Sequence, residues 1–512
     1  MSSQYAGRKR RVSSLEFSTE ENSTARIKTE HTNSGAGKQY NNSHSVNQEK
    51  DRFLADLRVT DPRDDKTRIQ RTKGDLLVDS YRWILQNDEF CQWLAERRLL
   101  WIKGDPGKGK TMLLCGIIDE LLKEGYDSTV FFFCQAADAR INTANSVLRG
   151  LLYLILDQRP ALCEHIRGKY DKAGAGRQLF EDANSWEVLC AMIKSAVSHE
   201  TLHDIILVID ALDECISGLD QLIRLITDLA GNVKIIVSSR PEPRIDRALT
   251  VALRDTKIYL SLELNEDVIS AAVNSYIHHQ VDKLAVLKGF DDNLKIKVRD
   301  YLFTKADSTF LWVALVYEQL ADSRVRPRHI ERKLDEFPPG LDSLYQRILD
   351  LILGSLDSED CRQVLAIMAT VSRPIDLTEL ALLLDHMEFL GEIVEECSSL
   401  LTVKGGIIYF IHQSAKDFLI GRTDRIMPAG LGLSHNQILS KLLQSMFKTF
   451  KRNIYGIKEP RLSLDEICVP SPNPLLPVRY ACVYWADHLT YKDAGQQQFA
   501  EVYSFVTKHF LH

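Results

Sequence analysis

One short glycine-rich segment constrains the fold of this chain more than any other feature. It reads Gly104-Asp105-Pro106-Gly107-Lys108-Gly109-Lys110-Thr111 and matches the pattern G-x-x-x-x-G-K-[ST] at every fixed position. The apolar run Leu99–Ile102 comes just before it and predicts a buried strand, while Met112–Leu122 follows with apolar residues at helical spacing. A strand that enters a helix through such a loop is typical of phosphate-binding P-loops.

The residue types in this loop have specific physical roles. Glycines let the backbone curl so that successive N–H groups face an anion, and the dipole of the following helix adds positive potential. Lys110 is placed to reach the β- and γ-phosphates of a nucleotide, and the Thr111 hydroxyl is placed to coordinate Mg²⁺. The segment therefore predicts a nucleotide and a magnesium ion as ligands.

A second acidic site is expected at the end of a buried strand next to the one that enters the loop. The run Ile205–Asp210 provides it, and Asp213 and Glu214 follow directly. We expect Asp210 to hold the metal, Glu214 to polarise an attacking water, and Asp213 to support the metal or the water. A strand cap would explain one of these acids, but not all three.

Other polar residues follow predicted strands at the edge where ligands bind in such sheets. Arg240 follows Lys234–Ser238 and is a candidate sensor of the γ-phosphate, although a surface ion pair also explains it. Arg140, after the strand Thr129–Cys134, follows the same logic. His412 ends an apolar run, where a histidine is more often structural than functional.

Strand and helix patterns alternate through the first half of the chain and predict a parallel sheet with helices on both faces. Helical periodicity then takes over, and helices followed by a hairpin across Lys404-Gly405-Gly406 predict a winged helix. The fold class is thus an α/β P-loop NTPase, an all-α module and a winged-helix domain. The predicted boundaries are a disordered tail 1–60, an NTPase domain 61–262, a helical domain 263–355, a winged helix 356–425 and a C-terminal helical segment 426–512.

Composition narrows the classes of protein that remain. The formal net charge is −6, so a dedicated nucleic-acid binder is disfavoured. The ten cysteines form no Cys-x-x-Cys pair, and no apolar stretch is long enough to span a bilayer, which together predict a cytoplasmic protein. In the tail, the basic run Arg8–Arg11 with Ser13 after it, and the polar tract Gly37–Asn47, are typical of solvated linker.

Several segments together resemble the fungal NACHT proteins, which are STAND-type NTPases linked to heterokaryon incompatibility and innate immunity. The likeness covers roughly residues 60–512 and includes a first half similar to the nucleotide-binding region named after nephrocystin. Besides the glycine-rich loop, it is carried by Lys73–Trp83, Leu207–Cys215 and Ser238–Pro243. The Gly37–Asn47 tract also faintly resembles the amyloid-type signalling motifs of some members.

The resemblance implies an ATP/ADP-operated switch that is closed with ADP, forms homo-oligomers with ATP, and resets by slow hydrolysis. It also implies that His412 contacts the β-phosphate of ADP and holds the closed form. Family members usually carry a C-terminal repeat sensor and a folded N-terminal effector, and we expect neither within this chain. Other NLR-like or effector proteins are therefore expected partners.

Two alternatives to a switch remain open. One is a turnover enzyme, either a P-loop ATPase that takes an arginine finger in trans or a nucleotide kinase, although no arginine cluster for a kinase lid is evident. The other is a DNA-binding regulator that uses the winged helix. The second is disfavoured because the segment Leu377–Leu384 carries Glu379 and no lysine or arginine.

Overall fold

The computed structural model describes residues 51–512 except 75, 97, 174–175, 203, 253–256, 385–388, 429, 458–468, 490–495 and 510–512. The basic run Arg8–Arg11, Ser13 and the tract Gly37–Asn47 lie outside the described residues. Residues 51–57 are helical, and both Phe53 and Leu57 are fully buried. Ordered structure therefore extends into the segment 1–60, which the sequence predicts to be a disordered tail.

A five-stranded parallel sheet forms the centre of the first half. Its strands are β1 (Leu99–Lys103), β2 (Thr129–Phe133), β3 (Ile206–Asp210), β4 (Lys234–Ser239) and β5 (Lys257–Ser261). Nearly every residue of β1 to β4 is buried. Because successive side chains of a strand point to opposite faces, continuous burial means that helices cover both faces of the sheet. The predicted parallel α/β fold is confirmed.

The order of the strands differs from the expectation in one respect. The sheet runs β2-β3-β4-β1-β5, so β4 lies between the strand that enters the glycine-rich loop and the strand that ends in Asp210. Our prediction that β1 and β3 are neighbours is therefore wrong. The sequence analysis also missed β5, a five-residue strand that pairs with β1 through Leu99↔Lys257 to Lys103↔Ser261. Local patterns do not encode the order of parallel strands.

Helices connect the strands and surround the sheet. Those up to residue 252 are Pro62–Lys73, Val78–Tyr81, Asp88–Ala95, Lys110–Lys123, Ala144–Gln158, Leu162–Ile166, Gly168–Ala173, Ser185–Val197, Leu219–Leu229 and Pro243–Ala252, with 3₁₀ turns at Arg82–Gln86, Gly176–Phe180, Glu200–Leu202 and Leu212–Glu214. The helix Lys110–Lys123 packs closely on Tyr81, because a Cβ on Gly116 would lie 2.4 Å from the Tyr81 ring.

The remainder of the chain is mainly helical. Its helices are Glu266–Lys288, Asp292–Lys305, Phe310–Ala321, Ile330–Asp335, Leu341–Leu353, Ser358–Thr370, Leu377–Leu383, Leu390–Glu396, Gln413–Ile420, Thr423–Ile426, Leu431–Thr449, Arg479–Leu489 and Gln496–His509, with a 3₁₀ turn at Pro327–His329. None of the helices within the described part of the chain has the length and apolarity needed to cross a membrane.

A small antiparallel sheet interrupts these helices. Its strands are β6 (Ile375–Asp376), β7 (Leu401–Lys404) and β8 (Ile407–Phe410), in the order β6-β8-β7. Gly405 and Gly406 both have positive φ, 58° and 79°, as a two-residue hairpin turn requires. We call residues 375–420 the hairpin segment. It contains the predicted helices and hairpin, and Glu379 in it is buried against Arg373.

Candidate phosphate-binding site

The glycine-rich loop joins β1 to the helix Lys110–Lys123, as the sequence predicts. Gly107 and Gly109 have φ values of 83° and 86°, in the left-handed region that favours glycine. Gly109 is the N-cap residue of the helix. The first N–H groups of any helix lack partners within the helix and carry its positive dipole end, so this loop presents an anion-binding surface.

The segment around helix Phe310–Ala321 packs directly on this loop. A Cβ on Gly107 would lie 2.8 Å from Thr309 Cγ2, and a Cβ on Gly109 would lie 2.9 Å from Phe310 Cδ2. The Leu311 N–H donates to the Gly107 carbonyl at 3.4 Å. Glycine is therefore required at these two positions both for its φ and for the close approach of the helical region.

Lys110 folds back over the loop. Its Nζ donates to the carbonyls of Gly104, at 2.5 Å, and Asp105, at 3.1 Å. Burial lowers the pKa of Lys110, and the charges of Asp213 and Asp210 oppose that shift. The ammonium is thus held by the loop carbonyls and feels the charges of the two carboxylates at the end of β3.

Glu263 anchors the other side of the loop, and the sequence analysis missed it. Its Oε1 accepts the Asp105 N–H at 2.6 Å and its Oε2 accepts the Ser261 hydroxyl at 2.9 Å. Lys108 is fixed separately, because its Nζ donates to the Asp307 carbonyl at 2.9 Å. No local pattern marks Glu263, which follows the strand that the sequence analysis overlooked.

Asp210 is buried at the end of β3 and lies against Thr111. Its Oδ1 accepts the Ser238 hydroxyl at 2.5 Å, and Ser238 Oγ in turn accepts the Ala211 N–H at 2.9 Å. Burial raises the pKa of Asp210, while the positive charge of Lys73 and hydrogen bonds from Ser238 and Thr111 oppose the rise. The two predicted metal ligands, Thr111 and Asp210, thus lie close to each other.

These two residues fit a magnesium ion. A hydroxyl and a carboxylate supply hard oxygen ligands, and Mg²⁺ is usually held by one or two protein groups together with substrate phosphates and water. Within the described ranges no cluster of three or more histidine, cysteine, aspartate or glutamate side chains could hold a metal by itself. The donor set therefore suits a metal that arrives with a nucleotide.

Glu214 and Asp213 lie in the short turn after β3. The Ala136 N–H donates to Glu214 Oε2 at 3.0 Å. Burial raises the pKa of Glu214 to about 7, opposed by this hydrogen bond and assisted by the charge of Asp213. A carboxylate with a pKa near neutrality suits a general base.

Arg240 follows β4 and is held by two carboxylates. Its Nε lies 3.1 Å from Asp213 Oδ2, and its backbone N–H donates to Asp213 Oδ1 at 3.0 Å. A terminal nitrogen of the guanidinium pairs with Asp417 in the hairpin segment. Arg240 is therefore a mostly buried link between the sheet and the hairpin segment, and the expectation of a surface ion pair does not describe it.

His412 also faces the site from the hairpin segment. It is the N-cap residue of helix Gln413–Ile420, where its Nδ1 accepts the Ser414 N–H at 3.1 Å and lies 2.8 Å from Ser414 Oγ. Burial, followed by the charges of Lys73, Arg240 and Lys110, lowers the pKa of His412 well below its ordinary value. Its ring is thus neutral.

Arg140 and Lys73 differ in how they relate to the site. Arg140 lies at the surface, where it pairs with Asp138 at 2.7 Å. Lys73 ends the helix Pro62–Lys73, and its charge acts on Asp210, Glu214, Lys110 and His412. The sequence motifs include Lys73 but do not mark it as a site residue.

The parallel sheet, the glycine-rich loop after β1 and the buried Asp210 define a P-loop NTPase. Residues 79–240 match the family described as Nephrocystin 3, N-terminal. The chain is 49% identical over 465 residues to the vegetative incompatibility protein HET-E-1 of Podospora anserina, a match that covers 86% of this chain and 34% of that protein. The resemblance to the NACHT-type P-loop NTPases that the sequence motifs predicted is thus confirmed, and the chain spans about a third of the length of HET-E-1.

Solved structures show only a distant likeness. A signal transduction ATPase with numerous domains (STAND) and a tetratricopeptide repeat sensor, from Pyrococcus horikoshii, is 13% identical with a TM-score of 0.34, covering 82% of this chain and 57% of that one. The Drosophila origin recognition complex bound to GC-rich DNA and Cdc6 is 9% identical with a TM-score of 0.27, covering 96% and 69%.

Proposed function

We propose that this chain is an ATP/ADP-binding switch with slow ATP hydrolysis. One observation carries the proposal: Asp417, in the helix that His412 caps, pairs with Arg240 and so joins the hairpin segment to the acidic turn after β3. An enzyme built only for turnover needs access to its loop, whereas a switch needs a second element whose position depends on the bound phosphates. The class of HET-E-1, a vegetative incompatibility protein, agrees with a signalling role.

Different residues would bind the phosphates, the metal ion and the closed-state nucleotide. The N–H groups of the loop Gly104–Thr111 and the ammonium of Lys110 would hold the phosphates of ATP or ADP. Thr111 and Asp210 would hold Mg²⁺, which when bound neutralises phosphate charge. His412 would donate to the β-phosphate from the hairpin segment and so retain ADP in the closed form.

Hydrolysis, where it occurs, would use Glu214. Its carboxylate, with a pKa of about 7, is close to half ionised at neutral pH and can take a proton from a water molecule. Its bond to the Ala136 N–H and the neighbouring Asp213 hold it in the turn after β3. A base that is only partly ionised agrees with slow ATP hydrolysis, the step that would return the switch to its ADP form. Arg240 would sense the γ-phosphate.

We further propose that the chain forms homo-oligomers with ATP and is cytoplasmic. Its role would lie in fungal non-self recognition or programmed cell death. NLR-like or effector proteins are the proposed partners. The alternative function is a turnover P-loop ATPase or a nucleotide kinase. This alternative would use the same loop and the near-neutral pKa of Glu214. The two functions therefore differ in how long the protein retains ADP.

The nucleotide content of the freshly purified protein separates the two functions. After denaturation, chromatography of the supernatant should show near-stoichiometric ADP if the protein is a closed switch. Lys110→Ala should remove it, because the phosphates lose their cation, and Lys123→Ala on the same helix is the charge-matched control. An empty site with rapid ATP turnover, or full ADP content in Lys110→Ala, would contradict the switch.

A further inference from the structure

Two histidines of the C-terminal helices contact each other, outside the phosphate-binding site. His435 lies in helix Leu431–Thr449 and His488 in helix Arg479–Leu489. Their Nδ1 atoms are 2.9 Å apart, and His488 is fully buried. The other ring nitrogen of His488, Nε2, lies 2.8 Å from the hydroxyl of Tyr480 on the same helix. Both nitrogens of this buried ring are therefore engaged.

Tyr480 connects the two histidines to the hairpin segment. Its hydroxyl oxygen accepts the Ser372 N–H at 3.0 Å, and its backbone N–H donates to Glu379 Oε1 at 3.1 Å. The guanidinium of Arg373 pairs with Glu379 and lies 5.3 Å from the centroid of the Tyr480 ring. The helix that carries Tyr480 and His488 is therefore bonded both to the hairpin segment and to the helix that carries His435.

The chain Tyr480–His488–His435 has room for one proton in each contact, because two N–H groups cannot face each other. The Tyr480 hydroxyl donates to His488 Nε2, and His488 donates from Nδ1 to His435 Nδ1, which leaves both rings neutral. A further proton on either ring makes His488 Nε2 a donor. The Tyr480 proton must then leave the chain, and a positive charge remains on a buried ring.

The surroundings of the two rings do not compensate such a charge. Burial lowers the pKa of both histidines, that of His488 to about 4, and the charge of Lys416 lowers the pKa of His435 further. Glu379 already pairs with Arg373. Further charged groups on these helices and on those packed against them lie at the surface or are bonded elsewhere: Asp487, Glu501, Arg362 and Glu359.

We propose that His435 and His488 form an acid-sensitive switch, which releases helix Arg479–Leu489 from the hairpin segment and from helix Leu431–Thr449 when one ring takes up a proton. In the released state both rings are hydrated and bind a proton with their ordinary affinity. A group whose pKa is lowered in the docked state stabilises docking above its ordinary pKa, about 6.5 for histidine, and this stabilisation is lost as pH falls from there towards the lowered value. The switch does not depend on nucleotide and goes beyond the proposed function.

The change in pKa of His488 sets the size of the effect. With a pKa of about 6.5 when released and about 4 when docked, the ratio of released to docked protein should rise about twentyfold between about pH 7 and about pH 5. Hydrogen exchange of the full chain, read by mass spectrometry with labelling times scaled to the intrinsic rate at each pH, measures this ratio in peptides from 479–489. Peptides from helix Lys110–Lys123 are the internal reference and should keep their protection.

His488→Gln keeps an amide in place of the ring but takes up no proton. The rise should then be less than about threefold, because the group with the larger shift is gone. The matched control is His199→Gln, which removes a histidine outside the C-terminal helices whose Nδ1 lies 3.0 Å from the Thr201 hydroxyl. The comparison uses the ratio between the two pH values, so a variant that docks more weakly at both remains informative.

A large rise in the wild type and in His199→Gln, together with a small one in His488→Gln, supports the switch. Equal protection of the wild type at both pH values overturns it, and so does an equal rise in His488→Gln. If His488→Gln does not fold, deuterium exchange at the imidazole Cε1 of the wild type gives the titration of His488 directly. A midpoint well below the ordinary value supports the switch, and a midpoint of about 6.5 overturns it.

Discussion

The contact between Gly109 and Phe310 allows a test of how the helical region holds the phosphate loop. Gly109→Ala places a side chain at a φ of 86° and a Cβ 2.9 Å from Phe310 Cδ2. The left-handed backbone costs about 1–2 kcal/mol for a residue with a Cβ. Overpacking against the ring adds about 1–3 kcal/mol. We expect the free energy of unfolding to fall by about 2–5 kcal/mol in total.

Gly125 provides the matched control for the backbone contribution. It has a φ of 87°, but no atom lies within 4 Å of the Cβ that alanine would add. Gly125→Ala should therefore cost only the backbone part, about 1–2 kcal/mol. The difference between the two variants measures the packing of Phe310 on the loop.

Urea denaturation of the nucleotide-free protein, followed by tryptophan fluorescence, is the assay. The fully buried Trp312 lies two residues from Phe310 and reports on this region. In a Phe310→Ala background, the cost of Gly109→Ala should drop to that of Gly125→Ala, because the clash is gone. Equal costs for Gly109→Ala and Gly125→Ala in the wild-type background would refute the contact.

Three further predictions follow from buried polar groups. The pKa of Glu214 is raised from 4.5 to about 7, so the native state binds this proton more tightly than the unfolded state. The free energy of unfolding should therefore fall by at most ~3 kcal/mol as pH rises from about 4.5 to 7. Glu214→Gln should remove this pH dependence, and an unchanged dependence in denaturation curves of the variant contradicts the raised pKa. Ser238→Ala leaves the buried Asp210 carboxylate one donor short and should cost about 1–3 kcal/mol, measured by urea denaturation; no loss would mean that Asp210 is already protonated or solvated. Arg149→Met removes the donors to the two carbonyls that end the helix at 51–57, so limited proteolysis should cut there faster than in the wild type, and equal cleavage rates would argue against that anchor.

The phosphate loop and its flanking elements could be predicted because their information is local. The spacing of Gly104, Gly109 and Lys110 and the apolar runs on each side specify a strand, a loop and a helix without reference to the rest of the chain. The acids after β3 were found in the same way. His412 was predicted as a site residue from the family resemblance, because the chemistry of a single histidine does not by itself indicate a functional role.

The parts that the sequence analysis missed depend on contacts between distant segments. The position of β4 between β1 and β3 results from how the crossovers pack. β5 is as long as β1, but its apolar run covers only Ile258–Leu260 and is not distinctive. Glu263 reaches Asp105 across 158 positions of sequence. Such pairs become visible only when the chain is folded, because neither residue carries a pattern of its own.

The packing of Phe310 and Leu311 on the phosphate loop bears on how this protein can be divided for experiment. A fragment that ends at residue 262 keeps all five strands of the parallel sheet and every residue of the glycine-rich loop. Its sequence motifs alone would indicate a complete nucleotide-binding domain. It would nevertheless lack the side chains of Thr309, Phe310 and Leu311 that cover Gly107 and Gly109, and it would lose the hydrogen bond from the Leu311 N–H. The smallest fragment suited to nucleotide titration therefore extends through the helix that ends at Ala321.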